Sequence, residues 1–430
     1  MNARLKFCDN YYMKENQGLV IINNRDLGTW LKLTKECFEI IEWAVEQEWS
    51  VEKLLNECYD REDREYIKLL LDKLKSLQLV YETNDKELEK EREINSVTFA
   101  LTKKCNLKCT HCCVDATMEN EENASLDDIK KAIDQILELF PKRLILTGGE
   151  PMIRKDFFEI VKYIREKSDV PMELMTNGTL ISRENVSVIA KNFQSVAISI
   201  DGHNEETCAP VRGKGVFNKV IEAVRLLKNA EVKQISLSCV ETRHNVEHYD
   251  AFKALCKSLE VECISRRFSP SGRGEDNYEE LTGKTIEQVR KDVMGTNQII
   301  KTENNCKESS ITTGLNSTVC SVFESSFYVG SDLHVYPCGA LYLDEFKGEN
   351  ILAISNIKEY FSKKLYMQTD AYKLYDSILF NNIEPCKNCS INFICNNCPA
   401  YVYAYKKLGI LSTYCNYRKC EMEQEICVID

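Results

Sequence analysis

The apolar positions change period along the chain. Over residues 1 to about 81 they first form two short runs, Gly18-Leu19-Val20-Ile21-Ile22 and Thr29-Trp30-Leu31-Lys32-Leu33, separated by the turn-prone Asn23-Asn24-Arg25-Asp26. This pattern predicts a β-hairpin. Phe38, Ile41 and Val45 then recur at helical spacing behind a capping Thr34, which predicts a helix through Gln47. Ser50 opens a short helix holding Leu54 and Leu55, and a third begins near Asp63 with Ile67, Leu70, Leu71 and Leu74 inward, before the strand-like Leu79-Val80-Tyr81. Residues 82–95 are mostly charged and predict a solvated linker. From Ser96 to about Phe268 the period alternates, with strands near 96–101, 143–147, 171–176, 195–200, 233–240 and 261–267. Amphipathic helices fall between them, such as 126–140 with Ile129, Ile133, Ile136, Leu137 and Phe140 on one face. Six such units predict an α/β domain with a parallel sheet, right-handed crossovers and a site at the strands' C-terminal ends.

Length and composition narrow the class. A chain of 430 residues with 43% hydrophobic residues can build two or three cores. The start, Met1-Asn2-Ala3-Arg4-Leu5-Lys6, has no apolar signal core, and no uninterrupted apolar stretch suits a bilayer, so a cytoplasmic protein without a membrane partner is expected. A reducing cytosol leaves the 21 cysteines available for metals rather than disulfides. The net charge of −11 argues against a nucleic-acid partner.

Directly after the first α/β strand, Cys105, Cys109 and Cys112 are spaced CxxxCxxC. Four thiolates saturate a [4Fe–4S] cube, whereas three on one loop leave an iron open to a small molecule. A zinc site or a disulfide cluster is the alternative. The loop resembles that of radical S-adenosylmethionine (SAM) enzymes, which implies a partial (β/α)6 barrel, SAM on the open iron and catalytic roles for these three cysteines. Thr147-Gly148-Gly149-Glu150-Pro151 resembles the family's GGEP motif. Its glycines would let the backbone approach the ligand, and Glu150 can pair with the SAM ammonium. Thr176 and Asn177 after the third strand, and Ser199 and Asp201 at the fourth, resemble segments lining SAM, the latter two aimed at its sugar hydroxyls. Arg212 matches an arginine that could pair with the SAM carboxylate; a surface arginine is the plainer alternative. His111 reads as packing beside the cluster.

Cysteines return at Cys320, Cys338, Cys386, Cys389, Cys395, Cys398 and Cys415. Their spacing resembles the SPASM auxiliary-cluster domain, with two departures. Leu333 stands where the family has a glycine, with Gly330 nearby, and Cys395 and Cys398 form CxxC in place of CxxxC. The resemblance implies one auxiliary [4Fe–4S] cluster on Cys386, Cys389, Cys395 and Cys415 and another on Cys320, Cys338 and Cys398. The fourth iron of the second would be open, or closed by Cys306 or Cys420. With the SAM cluster this makes three; the alternative is a zinc ribbon. Cys8, Cys37, Cys58, Cys239, Cys256 and Cys263 read as small packing residues.

The hairpin–helix plan of residues 1–81 resembles the winged-helix-like α+β precursor-recognition domain of ribosomal-peptide maturases, also seen as a chaperone in pyrroloquinoline quinone biosynthesis. There a leader peptide adds a strand to the hairpin edge and lies against the third helix. A DNA-binding winged helix and a packing domain are the alternatives. Together the resemblances imply 1–81 for leader recognition, 82–95 as linker, 96–310 as barrel and 311–430 as auxiliary-cluster domain. They imply a peptide maturase of the sactisynthase and ranthipeptide-synthase type, which forms thioethers on a ribosomal precursor peptide using electrons from an external flavodoxin or ferredoxin. Carbon–carbon or carbon–oxygen crosslinking and epimerisation use similar architectures. A sulfatase-type maturase lacks the leader domain, and an iron–sulfur sensor or carrier needs no SAM pocket.

Overall fold

The computed structural model describes residues 3–9, 11–16, 18–24, 29–83, 93–121, 124–292, 320–379, 382–389, 395 and 398–416. Most of the expected linker, the turn residues Arg25 and Asp26, and the candidate ligands Cys306 and Cys420 lie outside them.

The predicted hairpin is present as β3 (Leu19–Asn24) and β4 (Thr29–Thr34), paired antiparallel with Val20 opposite Leu33. Two strands were not legible in the sequence. β1 (Leu5–Phe7) spans three residues and pairs with β5 (Val80–Glu82); β2 (Tyr11–Asn16) is largely polar and forms the outer edge of the sheet β2-β3-β4. Helix α1 (Lys35–Glu46) is capped by the Thr34 hydroxyl, which accepts from the Cys37 N–H, and α2 (Val51–Asn56) is capped by Ser50. Helix α3 (Arg61–Ser76) starts two residues before the expected Asp63, because the Asp60 carboxylate accepts from the Asp63 N–H at 2.8 Å. Leu5, Ile22, Phe38, Ile41, Leu71 and Leu74 bury themselves in a core of their own.

The six predicted α/β strands are β6 (Ser96–Ala100), β7 (Leu144–Thr147), β8 (Met172–Thr176), β9 (Ser195–Ser199), β10 (Gln234–Val240) and β11 (Glu262–Arg266). They pair in parallel and in sequence order, so Thr98 faces Ile145, Leu146 faces Leu174 and Met175 faces Ala197. Between them run α4 (Leu126–Glu138), α5 (Phe157–Lys167), α6 (Val186–Asn192), α7 (Glu205–Arg212), α8 (Val216–Asn229) and α9 (Tyr249–Leu259). Ile129, Ile133 and Ile136 of α4 are buried as expected, but Phe140 is 78% exposed. The helix ends at Glu138, and Phe140 turns away in a left-handed conformation, φ 50°.

Past the sixth unit, β12 (Ser326–Val329) lies parallel to β6 with Phe327 opposite Val97, and β13 (Val335–Tyr336) adds antiparallel to it. The eight-strand sheet therefore has the order β11-β10-β9-β8-β7-β6-β12-β13. This pairing covers the open edge of β6. The expected boundary at 310/311 lies outside the described residues; the core of the described ones runs from Val97 and Phe99 through Phe327, Tyr336 and Phe361.

Candidate functional site

A cavity of about 710 Å³ opens at the C-terminal ends of the parallel strands. Cys105, Cys109 and Cys112 line it together with Gly148, Gly149, Thr176, Asn177, Ser199 and Arg212. The opposite wall comes from the C-terminal lobe and includes Tyr328, Cys338, Cys398 and Tyr401. Residues far apart in the chain thus meet where the parallel strands all end.

The cysteine loop is pinned along its length. The Cys105 N–H donates to the Thr117 carbonyl at 3.1 Å and the Thr110 N–H to the Val211 carbonyl at 3.0 Å. Arg273, which the sequence placed in a featureless polar stretch, donates from its guanidinium to the carbonyls of Cys109 and Ala116 at 3.0 and 2.9 Å. Nothing in local periodicity marks that residue, since its partners lie more than 150 positions away. The two glycines serve the same loop. A Cβ on Gly148 would stand 2.3 Å from the Thr102 carbonyl, and one on Gly149 would stand 2.3 Å from that of Lys104. Their first close approach is thus to the protein's own chain, sealed by hydrogen bonds of 2.8 Å from Gly149 N–H to Thr102 and from Glu150 N–H to Lys104.

Each thiol of the loop has an N–H donor nearby. The Leu107 N–H lies 3.4 Å from the Cys105 sulfur, Ala116 N–H 3.4 Å from Cys112, and Arg212 Nη1 3.9 Å from Cys109. Asn177 Nδ2 approaches Cys105 at 3.8 Å. Burial pushes the Cys109 thiol up to about 11 in spite of Arg212, so a nearby cation must supply the charge that ionises it. Such donors and such a demand fit an iron–sulfur cluster. Among the described residues no three Cys, His, Asp or Glu side chains cluster tightly enough for a single metal ion. A cubane spreads its thiolates over separate corners, so its ligands stand farther apart than those of one ion.

Glu150 and Asp201 sit behind the lining and are fully buried. The Glu150 carboxylate accepts from the Thr176 hydroxyl at 2.8 Å, the Asn177 N–H at 2.7 Å and the Met152 N–H at 3.2 Å. Burial nevertheless pushes it up to about 7. Pro151 begins the short 3-10 turn that follows. Ser199 ends β9 and faces the cavity, but Asp201 lies beyond the strand and does not share its aim. One Asp201 oxygen meets His111 Nε2 at 2.5 Å and Arg212 Nε at 2.6 Å, the latter off the axis of a linear hydrogen bond; the other accepts from the Val240 N–H at 2.7 Å. The expected contact of Asp201 with sugar hydroxyls is thereby corrected, because its oxygens are already occupied by the protein. Burial would raise its carboxyl, yet Arg212 and His111 hold it down at about 2. Arg212 is buried, which removes the surface-arginine alternative, and His111 anchors Asp201 rather than merely packing.

In the C-terminal lobe, Cys338 is pushed up to about 12 by burial and then by the neighbouring thiols of Cys398 and Cys320. Cys415 is raised by its hydrogen bond to Cys386 and by burial, with Cys395 and Cys389 also adjacent. Members of each expected set thus lie within electrostatic reach of one another. Leu333, where the resemblance expects glycine, adopts a left-handed φ of 64° at the turn between β12 and β13, with its side chain buried. Cys239 and Cys256 are buried, and Cys8, Cys37, Cys58 and Cys263 are half-buried. No helix among the described residues is long and apolar enough to cross a membrane.

Residues 99–255 match the family model described as the Radical SAM superfamily. Mycofactocin maturase MftC of Mycolicibacterium smegmatis is 35% identical over 195 residues, 45% of this chain and 49% of that protein. The AdoMet-dependent heme synthase of Methanosarcina barkeri is 32% identical over 187 residues, 43% of this chain and 53% of that one. The chain spans about half the length of these curated relatives. Among solved structures, Streptococcus suis SuiB bound to S-adenosylmethionine is similar with a TM-score of 0.52 at 16% identity, over 92% of this chain and 96% of that one. SuiB bound to its precursor peptide SuiA gives a TM-score of 0.52 at 15% identity, over 93% and 96%. At such identities the likeness is one of fold.

Proposed function

We propose that the protein, whose residues 99–255 match the Radical SAM superfamily model, matures a ribosomally made precursor peptide by forming a thioether from a cysteine sulfur to a backbone or side-chain carbon. One observation carries this reading. The cavity lined by Cys105, Cys109 and Cys112 is also lined by Cys338 and Cys398, so one substrate bound there can reach both thiol sets. A relative named as a mycofactocin maturase and a fold neighbour crystallised with its precursor peptide support the same class.

Cys105, Cys109 and Cys112 would hold the SAM-binding [4Fe–4S] cluster. Cys386, Cys389, Cys395 and Cys415 would hold one auxiliary cluster, and Cys320, Cys338 and Cys398 the other. With SAM bound, the first would supply a carbon-centred radical able to take a hydrogen atom from the peptide. The three-thiol auxiliary set would leave one position for a substrate thiolate, the thiol proton going to solvent, and an auxiliary cluster would accept the electron left over when that sulfur closes on the carbon radical. The remaining work belongs to the chain itself. Thr176, Asn177 and Ser199 form a polar wall for SAM, and behind them Glu150 accepts from Thr176 and Asn177, so that an ammonium reaching it would share those oxygens. Arg212 stands beside the Cys109 sulfur, where it can meet the SAM carboxylate. Residues 1–81 bind the leader and raise the effective concentration of the core peptide at the cavity, and a flavodoxin or ferredoxin supplies the reducing electron.

Each thioether removes two hydrogens from the peptide, so the product should be lighter by about that mass per bond and should resist thiol alkylation. Replacing the reacting precursor cysteine with serine should abolish the bond while 5′-deoxyadenosine still forms. A product whose cysteines all remain alkylatable points to carbon–carbon or carbon–oxygen crosslinking; solvent deuterium at an α-carbon without mass loss points to epimerisation. Either overturns the thioether reading.

A further inference from the structure

Charge around the cavity is one-sided. The chain carries a net −11, yet the charged side chains facing the cavity are Arg212, Arg266, Arg267 and Arg273, and no carboxylate is among the described lining residues. Three of these arginines are committed. Arg212 pairs with Asp201, Arg273 holds the cysteine loop through two carbonyls, and Arg267 donates to the Tyr414 hydroxyl at 3.2 Å.

Arg266 differs. It is the last residue of β11, at the rim where the parallel strands end. Its Nε donates to the Ser238 hydroxyl of neighbouring β10 at 2.8 Å, which fixes the guanidinium plane. Its two terminal nitrogens have no hydrogen-bond or ion-pair partner among the described residues, and the side chain is exposed. A guanidinium anchored at Nε and open at both ends presents the fork that matches the two oxygens of a carboxylate. The SAM carboxylate has a nearer candidate in Arg212, which adjoins the cysteine loop, whereas Arg266 lies two strands beyond Ser199 on the edge of the sheet.

We propose that Arg266 receives a carboxylate of the substrate peptide, so that the segment brought to the cavity is acidic or ends the chain. This rests on the peptide reading above. That reading fails separately, if no precursor stimulates 5′-deoxyadenosine formation. The probes are acetyl-Gly-Asp-Gly-amide, acetyl-Gly-Asn-Gly-amide and acetyl-Gly-Gly-Gly with a free carboxyl terminus. Each is titrated calorimetrically into the full-length, cluster-reconstituted, SAM-loaded enzyme. At least one acid-bearing probe should bind about tenfold more tightly than the Asn probe. Preference for the Asp probe assigns the carboxylate to a side chain, and preference for the free acid assigns it to the peptide terminus. Arg266→Gln should erase the preference and leave SAM affinity within about twofold; Arg266→Lys, which keeps charge but loses the fork, should retain part of it. Equal affinity of the three probes, binding by none of them, a preference that survives Arg266→Gln, or loss of SAM affinity in that variant would each overturn the inference.

Discussion

Glu150 is a fully buried carboxyl, and burial pushes it from its ordinary 4.5 up to about 7. A carboxyl raised by folding binds its proton more tightly in the folded state. Its contribution is therefore fully present below about pH 4.5 and is lost as pH rises through about 7, roughly 3 kcal/mol in all. Urea unfolding of the SAM-free protein should show wild type losing about that much stability relative to Glu150→Gln between these limits. If the SAM ammonium pairs with Glu150, saturating SAM should flatten the difference; an unchanged slope would place the ammonium elsewhere. Arg273 acts on the same site through the backbone, with two charged hydrogen bonds to the cysteine loop. Arg273→Ala should cost about 3 kcal/mol and lower the iron bound at the SAM cluster, measured by iron content and by unfolding. Iron content equal to wild type would show that the loop holds its shape without that clamp.

At the scale of elements, the turn between β12 and β13 joins the cluster lobe to the main sheet, and Leu333 sits there with φ 64° and its side chain 5% exposed. The left-handed backbone costs about 1 kcal/mol for a residue with a Cβ, and the buried side chain returns about 2–4 kcal/mol. Leu333→Gly loses the side chain but relieves the backbone, whereas Leu333→Ala loses the side chain and keeps the strain. Both should destabilise, with Gly the milder by about 1 kcal/mol, as read by denaturant midpoints. Alanine proving the better replacement would show that the backbone there is not strained. The glycine that the resemblance implies here and the leucine present would answer one backbone demand in two ways.

For the whole molecule, the cores are the informative units. Residues 5–80 share an apolar cluster that includes none of the residues from 94 onward, while the parallel strands and the C-terminal lobe share a large one and a smaller one of Phe268, Tyr278, Leu281, Leu408 and Ile410. Removing residues 1–81 should therefore leave SAM cleavage in place and abolish precursor binding, measured by 5′-deoxyadenosine formation and by fluorescence anisotropy of a labelled precursor. Unchanged anisotropy would reject leader recognition by this part of the chain. Cutting at 310, by contrast, would strip β12 from β6 and open the sheet edge.

What the sequence by itself determined was everything written in short-range order. The period of 2 and 3.6 located six strands and their helices, Thr34 and Ser50 marked two helix starts, and CxxxCxxC with Gly148, Gly149 and Glu150 located one wall of the cavity. Three-residue and polar strands such as β1 and β2 carry too few apolar positions to register as a pattern, and β12 is recognisable only by the β6 edge it covers. Tertiary structure alone decided which polar groups meet. Asp201 looked free to bind a sugar because its partners His111 and Arg212 lie 90 positions before it and 11 after it, and Arg273 carried no signal because its partners are backbone carbonyls on a distant loop. Side-chain chemistry is local, but whether a charge is spent on the protein or kept for a ligand depends on neighbours that only folding brings within hydrogen-bond reach.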